Sequence, residues 1–170
     1  MRRDAWYWIE KLRLCQHPEG GWYARTFQSD EILDRNSLPE RYPGARLVYT
    51  VIYYLLKGSE FSAFHRIKSD EVWHFYAGSG LTLYVIDKAG ALHEEKLGSD
   101  PQRGESFQAL VKAGCWFAAR VDDPASYTLV GCTVAPGFEY EDFELAERSR
   151  LTEEYPQHKE IIERLTRSCA

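Results

Sequence analysis

Two side chains able to exchange protons, His65 and Glu71, lie six positions apart in the stretch from Phe61 to Gly78. Alternation along strands at 61–67 and 71–77 would place each of them on a face that is otherwise apolar or aromatic. A hairpin would bring both into one aromatic pocket, which is the usual composition of a small-ligand site. Burial there would favour a neutral imidazole and raise the pKa of the carboxyl, whereas pairing would favour both ionised forms. The pattern favours a ligand-facing pair, with a satisfied core histidine and a structural glutamate as the alternative.

The elements before this pair are predicted from caps, breakers and strand formers. Asp4 can cap a short helix with an apolar stripe. Residues 17–21 end that helix, because a proline and two glycines do not continue it, and His17 is expected to organise this turn with Glu19. Residues 22–27 are rich in strand formers and predict a strand.

The rest of the chain alternates short apolar runs with turn residues. Residues 28–44 are polar, contain two prolines and predict a long loop, of the kind often used as a lid or an interface arm. A final helix would carry Ile161, Ile162 and Leu165 on one stripe. The predicted strands after the loop are 46–56, 61–67, 71–77, 81–87, 91–97, 106–111, 115–120 and 126–134. Many short strands at regular spacing predict a mainly β fold, a sandwich or barrel, with a helix at each end.

The predicted strand 46–56 is apolar or aromatic on both faces. An antiparallel strand with one solvated face should alternate instead. One face is expected to line the barrel, and a second subunit is the economical cover for the other. The sequence therefore predicts a homodimer, most simply a two-fold one.

Composition excludes several classes of partner. The chain has 170 residues, of which 44% are hydrophobic and 28% charged, and this fits one domain over residues 1–170. A net charge of −5 without a basic run argues against a nucleic-acid partner. No apolar run reaches the roughly 18 residues of a membrane helix, so no membrane partner is expected. The N-terminus lacks a signal-peptide core and the four cysteines lack metal or disulfide spacing, so a cytoplasmic location is expected.

Four segments of the chain resemble the cupin superfamily, and more closely an uncharacterised branch known as cupin family five. They are His17-Pro-Glu-Gly-Gly-Trp-Tyr23, residues 64–76, Ala113-Gly-Cys-Trp-Phe117 and residues 132–144. Gly58, His65, Glu71 and Gly78 match the frame of the first cupin signature. The resemblance implies a double-stranded jelly roll, similar to that of the sugar-nucleotide epimerases, and a dimer. It does not supply a reaction, because this fold hosts many chemistries.

The usual cupin metal ligands are incomplete in this chain. The second histidine of the first signature falls on Arg66 or Ile67, and the histidine slot of the second signature holds Phe117. His65 and Glu71 alone supply two ligands where a catalytic metal typically has three. The sequence therefore predicts neither a metal nor another cofactor, unless a bulge turns His74 inward.

Similarity to the metal-free epimerases suggests roles in proton transfer. His65 would be the base, Glu71 or Asp142 its orienting carboxylate, and Tyr140 the acid on the other face of the substrate. The expected ligand-binding residues are aromatic side chains for a flat apolar ligand and one arginine near the mouth: Trp22, Trp73, Phe117 and Arg25. An ordinary barrel core filled by the same aromatic side chains is an equal alternative. The resulting hypothesis is a small-molecule-binding cupin with isomerase or epimerase chemistry. A non-catalytic binding or sensor module and a metal-dependent cupin enzyme are the alternatives.

Overall fold

The computed structural model describes residues 3–167. Helix α1 (Ala5–Lys11) begins where the Asp4 carboxylate accepts a hydrogen bond from the Tyr7 amide at 2.9 Å. This side chain satisfies a backbone donor that the first helical turn leaves free. The predicted cap is confirmed, and none of the described helices is long and apolar enough to cross a membrane.

Two antiparallel sheets form the body of the protein, and the predicted jelly roll is confirmed. The six-stranded sheet runs, in spatial order, β1 (Cys15–Gln16), β2 (Trp22–Gln28), β5 (Thr50–Lys57), β12 (Tyr127–Ala135), β7 (Asp70–Gly78) and β10 (Gln108–Val111). The five-stranded sheet runs β13 (Glu144–Leu145), β6 (Phe61–Arg66), β11 (Trp116–Val121), β8 (Leu81–Ile86) and β9 (Leu92–Leu97). The strands β3 (Ile32–Leu33) and β4 (Arg46–Leu47) form a separate small ladder.

The main core lies between the two sheets. Tyr54 and Trp73 of the six-stranded sheet pack in one cluster with Leu83 and Phe117 of the five-stranded sheet. These side chains are almost completely buried. Burial of large apolar side chains is the dominant favourable contribution to folding, so this cluster closes the roll.

The helices cover parts of the outer faces of both sheets. Ile9 of α1 packs on Leu55 and Leu129, so the N-terminal helix already covers one end of the strand predicted to need a second subunit. That strand, predicted as 46–56, is broken into β4 and β5. The single predicted C-terminal helix is two helices, α2 (Arg148–Glu154) and α3 (Lys159–Arg164), because Pro156 opens a 3-10 turn between them.

The long segment 28–44 is fastened to the body of the protein. It contains β3 and a 3-10 turn at Arg35–Ser37. Tyr42 is fully buried, and its hydroxyl lies 2.9 Å from the Ser69 hydroxyl. The segment is therefore a packed connection, and none of its residues lines the cavity between the two sheets that is described below.

A buried ion pair joins β4 to the segment after β12. The Arg46 guanidinium donates from Nε to Asp142 Oδ2 at 2.6 Å and from Nη2 to Asp142 Oδ1 at 2.7 Å. Both side chains are nearly inaccessible to water. Asp142 therefore holds the 3-10 turn Tyr140–Asp142 in place, and it is not the partner of His65 that one sequence hypothesis assigned.

Removal of one partner of this buried pair should strongly destabilise the fold. Arg46→Met leaves Asp142 buried with Lys68 Nζ at 3.4 Å as its remaining cation, so we expect a loss of about 3 kcal/mol in the free energy of unfolding. Arg66→Met is the matched control, because Arg66 pairs with Glu144 where both side chains are partly exposed. That control should cost about 1 kcal/mol or less. Equal losses for the two variants in denaturant unfolding would contradict this account.

Candidate functional site

A cavity of about 430 Å³ lies between the two sheets. Its wall combines aromatic and aliphatic side chains with a similar number of polar ones. The apolar part includes Ile52, Tyr54, Ile67, Trp73, Val134, Phe138 and Phe143, and the polar part includes Arg13, His17, Glu19, Arg25, His65, Glu71 and Tyr140. This volume and composition are those of a small-molecule site.

His65 points into the barrel, as predicted, and both of its ring nitrogens have partners. Its side chain is 2% exposed, and Nδ1 lies 2.8 Å from the Ala63 carbonyl oxygen. A carbonyl oxygen only accepts, so Nδ1 carries a proton. Nε2 lies 3.1 Å from Glu19 Oε2. That second contact also requires a proton, carried by either the imidazole or the carboxyl.

Glu19 is therefore the carboxylate that orients His65, in place of Glu71 or Asp142. The Ser62 hydroxyl donates to Glu19 Oε1 at 2.8 Å, so both oxygens of this buried carboxyl group have partners. The backbone amide of Ala63 donates to the Glu19 carbonyl at 2.9 Å, so the loop is bonded directly to the strand that carries His65.

Two glycines allow the loop to enter the barrel mouth. Gly20 and Gly21 have φ values of 118° and 72°, a region that other residues rarely adopt. A Cβ atom on Gly20 would collide with the Phe61 carbonyl oxygen, and one on Gly21 would lie 2.8 Å from the Leu55 carbonyl oxygen. The string Glu19-Gly20-Gly21 thus buries a carboxylate between backbone segments too close for larger residues.

His17 lies in the same loop and faces the cavity as a neutral side chain. The Glu19 amide donates to His17 Nδ1 at 3.4 Å, so the predicted association of these two residues in the turn is confirmed. Burial lowers the pKa of His17, and nearby His65 lowers it further, while Glu19 acts in the opposite direction. Because Nδ1 accepts, the other ring nitrogen of His17 carries the proton and is a donor.

Glu71 is a buried carboxyl of the cavity whose pKa is strongly raised. Burial raises the pKa of its carboxyl to about 8, and the negative charge of Glu19 contributes to the rise. The Cys132 thiol and the Trp73 indole act on this pKa in the opposite direction. Glu71 is therefore predominantly a neutral carboxylic acid at pH 7, able to donate a hydrogen bond. His65 and Glu71 line one cavity, as expected, although each has its own surroundings.

The other residues predicted for the site divide into three groups. Trp73, Arg25 and Tyr140 line the cavity. Phe117 is buried behind it, with its ring centroid 4.0 Å from that of His65, so it fixes the imidazole plane. Trp22 lies outside the cavity and packs against Trp6 at 5.7 Å on the outer side of the sheet.

Tyr140 lies at the mouth of the cavity. Its hydroxyl is 3.1 Å from the Tyr23 hydroxyl, and its side chain is half-exposed. Burial and the Tyr23 hydroxyl raise the pKa of Tyr140 to about 12. A phenol with a raised pKa holds its proton more tightly, so it is better suited to hydrogen bonding than to proton donation.

The donors in the cavity do not fit the metal centre that the cupin fold often carries. No group of three or more His, Cys, Asp or Glu within residues 3–167 is arranged to hold a metal ion. Both nitrogens of His65 have other partners, and Phe117 fills the slot of the motif-two histidine. His74 is on the outer face, between Thr133 Oγ1 at 3.2 Å and the Gln108 amide at 3.0 Å. The bulge in β7 therefore does not turn it inward.

Replacement of Glu71 should change how stability depends on pH. Between pH 4.5 and about 8 the unfolded chain ionises this carboxyl while the folded protein keeps it protonated, so stability falls as pH rises. Glu71→Gln removes that difference. At pH 9 we expect the free energy of unfolding of the variant to exceed that of the wild type by on the order of a few kcal/mol, and we expect this advantage to vanish near pH 5.

Glu95→Gln, which alters an exposed carboxylate on β9, is the matched control and should leave the pH profile of denaturant unfolding unchanged. A Glu71→Gln variant that is less stable than the wild type at pH 9 would show that Glu71 is ionised and well paired.

Comparisons with known proteins agree with this architecture. A protein from Shewanella oneidensis shares 39% identity, with 99% of this chain and 100% of that one aligned and a TM-score of 0.89. A hypothetical protein from Leishmania major shares 36% identity over 97% and 99% of the two chains, also with a TM-score of 0.89. Oxalate decarboxylase from Bacillus subtilis has 13% identity and a TM-score of 0.53, with 88% of this chain covering 36% of that one, so it shows likeness of fold alone. No curated protein matches the chain. The family model described as Cupin superfamily (DUF985) matches residues 6–146, and the chain belongs to that family.

Proposed function

We propose that this protein binds a small organic molecule in the barrel cavity and transfers a proton on it, as an isomerase or epimerase does. The observation that carries the proposal is Glu71, a carboxyl with a pKa raised to about 8 inside an aromatic cavity. An acid or base is most effective when its pKa lies near the working pH, because both protonation states are then accessible. Perturbed carboxyls of this kind concentrate at catalytic sites.

The geometry changes the role expected of His65. Its nitrogens face the Ala63 carbonyl and Glu19, so His65 would have to leave Glu19 to act as a base on a ligand. His65 is better suited to a positioning role, in which it keeps Glu19 and the proton between them at the cavity wall. We therefore assign the proton exchange with substrate to the Glu71 carboxyl, with Glu19 and His65 as the second proton-holding pair.

The cavity suits chemistry at a carbon next to a carbonyl group. A neutral Glu71 donates to the carbonyl oxygen or returns a proton to carbon, and its ionised form removes one. The surrounding Trp73, Phe138 and Phe143 exclude water and present flat apolar surface to the substrate. Tyr140 and Tyr23 would contact the part of the ligand nearest the mouth.

Deuterium exchange into a bound metabolite tests the proposal directly. A metabolite mixture is incubated with the protein in deuterium oxide, bound compounds are found by saturation-transfer NMR, and their carbon-bound hydrogens are followed. We expect exchange next to a carbonyl with the wild type. Loss of the acid–base group in Glu71→Gln should slow it by about 100-fold or more while binding persists.

Glu95→Gln on the surface is the control and should exchange at the wild-type rate. A compound that binds in the cavity and never incorporates deuterium would contradict proton transfer. That result would favour a non-catalytic binding module, the alternative suggested by the engaged nitrogens of His65.

We also propose that the protein is a homodimer joined through the outer face of the six-stranded sheet. Helix α1 covers one end of that face, and the uncovered part carries exposed large side chains, including Phe27, Tyr76 and Leu110. The strand registers place Phe27 and Leu110 on the side opposite the core, and the Tyr76 ring packs against Tyr53 at a centroid distance of 5.9 Å. A self-complementary apolar patch on a sheet is the kind of surface that a two-fold dimer buries.

Sedimentation velocity tests this assembly. The wild type should sediment as a dimer, and the double variant Tyr76→Glu/Leu110→Glu should sediment as a folded monomer, because charges would be buried in the interface. Leu145→Glu, on the other sheet, is the control and should remain dimeric. A monomeric wild type at micromolar concentration would rule the interface out.

A further inference from the structure

Two arginines at the cavity are not engaged by acidic side chains. Arg13 and Arg25 line the cavity, and within residues 3–167 neither has a carboxylate oxygen within 4.0 Å. Arg25 makes only long contacts, from Nη2 to the Phe138 carbonyl at 3.4 Å and from Nη1 to Gln28 Oε1 at 3.5 Å. By contrast, Arg46 forms an ion pair with Asp142, and Arg66 forms one with Glu144.

Arg13 is held in an uncommon backbone conformation. Its φ is 54°, and it is the one residue other than glycine with a positive φ in the part of the chain that the structure describes. This position follows the C-terminus of α1, where a left-handed residue is common and glycine is the residue of least strain. A long cationic side chain therefore stands at the cavity where a glycine would satisfy the helix end. Strain of this kind motivates a functional hypothesis for the side chain.

The interior of the cavity offers no net positive charge to pair with an anionic ligand group. His17 and Glu71 are held predominantly neutral at pH 7, and His65 shares a proton with Glu19. A carboxylate placed deep in the barrel would lie beside the Glu19–His65 pair, which has no net charge to compensate the lost hydration of the anion. An anionic group of a ligand would be stabilised at Arg13 and Arg25, while an uncharged ring fits among the aromatic side chains.

We propose that Arg13 and Arg25 form a subsite for the carboxylate of the ligand, so that the substrate class is a ring-bearing carboxylic acid. This inference deepens the proposed function and rests on it. The planar guanidinium forks match a carboxylate in geometry and charge. Glu139 lines the same cavity, so the two arginines leave one net positive charge there, which suits a monoanion better than a dianionic phosphate. The volume of about 430 Å³ suits a ligand of one or two rings.

Matched acids and amides test the subsite. The probes are benzoate and benzamide, nicotinate and nicotinamide, and indole-3-acetate and indole-3-acetamide, measured by ligand-observed NMR titration. With the wild type we expect at least one acid to bind about tenfold or more tightly than its amide, because the amide keeps the ring but loses the charge. Arg13→Gln and Arg25→Gln should each reduce the acid affinity severalfold and leave the amide affinity unchanged.

Arg66→Gln, which removes a cation already paired with Glu144, is the control and should preserve the preference for acids. Arg13→Gly adds a second control, because it relieves the backbone conformation while removing the charge, and it should reduce the acid affinity as much as Arg13→Gln does, without loss of stability. Amides that bind as tightly as acids, or acids unaffected by both arginine substitutions, would overturn the subsite and leave the proposed function standing. Failure of all six probes to bind would overturn the subsite for ring-bearing acids, whereas the proposed function fails only if the deuterium-exchange experiment fails.

Discussion

The buried contact between His65 Nε2 and Glu19 Oε2 is the constraint on which the arrangement of the cavity depends. Nδ1 of His65 carries a proton, because it faces the Ala63 carbonyl oxygen, which can only accept a hydrogen bond. The 3.1 Å contact between Nε2 and Glu19 therefore needs a second proton. A buried acid and a buried imidazole that share a proton are electrically neutral as a pair, which reduces the cost of burying them. Burial in the apolar wall, with a further contribution from Glu19, then leaves Glu71 as the neutral acid.

The fold supplies this arrangement through three separate pieces of chain. The turn at Gly20 and Gly21 carries Glu19 into the mouth of the roll, and β6 and β7 carry His65 and Glu71 on its inner wall. The Arg46–Asp142 pair fixes the segment that places Tyr140 and Phe143 over the cavity. Backbone bonds between the loop and β6 join the first piece to the second, so the positions of the polar groups are set by the closure of the barrel.

Much of the fold could be predicted from local patterns. Strand alternation placed His65 and Glu71 on inner faces because side chains on neighbouring positions of a strand point to opposite sides. The role of Glu19 could not be derived in this way, since residues 17–21 form a turn without periodicity and the approach of Glu19 to His65 depends on packing between distant segments. The sequence feature that could have indicated this role of Glu19 is the string His17-Pro-Glu-Gly-Gly, in which two glycines permit a close backbone approach.

The other differences between the sequence predictions and the structure also have local causes. Trp22 satisfies strand propensity but its position in the register turns it outward, next to Leu55 and under α1. The C-terminal helix is divided because Pro156 cannot continue it. The position of Arg13 at the cavity could not be predicted, because a helix end shows no sequence signal for a left-handed arginine.

The most direct measurement is a carbon-13 NMR titration of the Glu71 carboxyl, assigned by comparison with Glu71→Gln. The account predicts a midpoint near pH 8, so that the carboxyl is predominantly protonated at neutral pH in the folded protein. A midpoint near the ordinary glutamate value of about 4.3 would show that the carboxyl is solvated or paired with a cation, and would contradict a cavity in which Glu71 is the neutral acid.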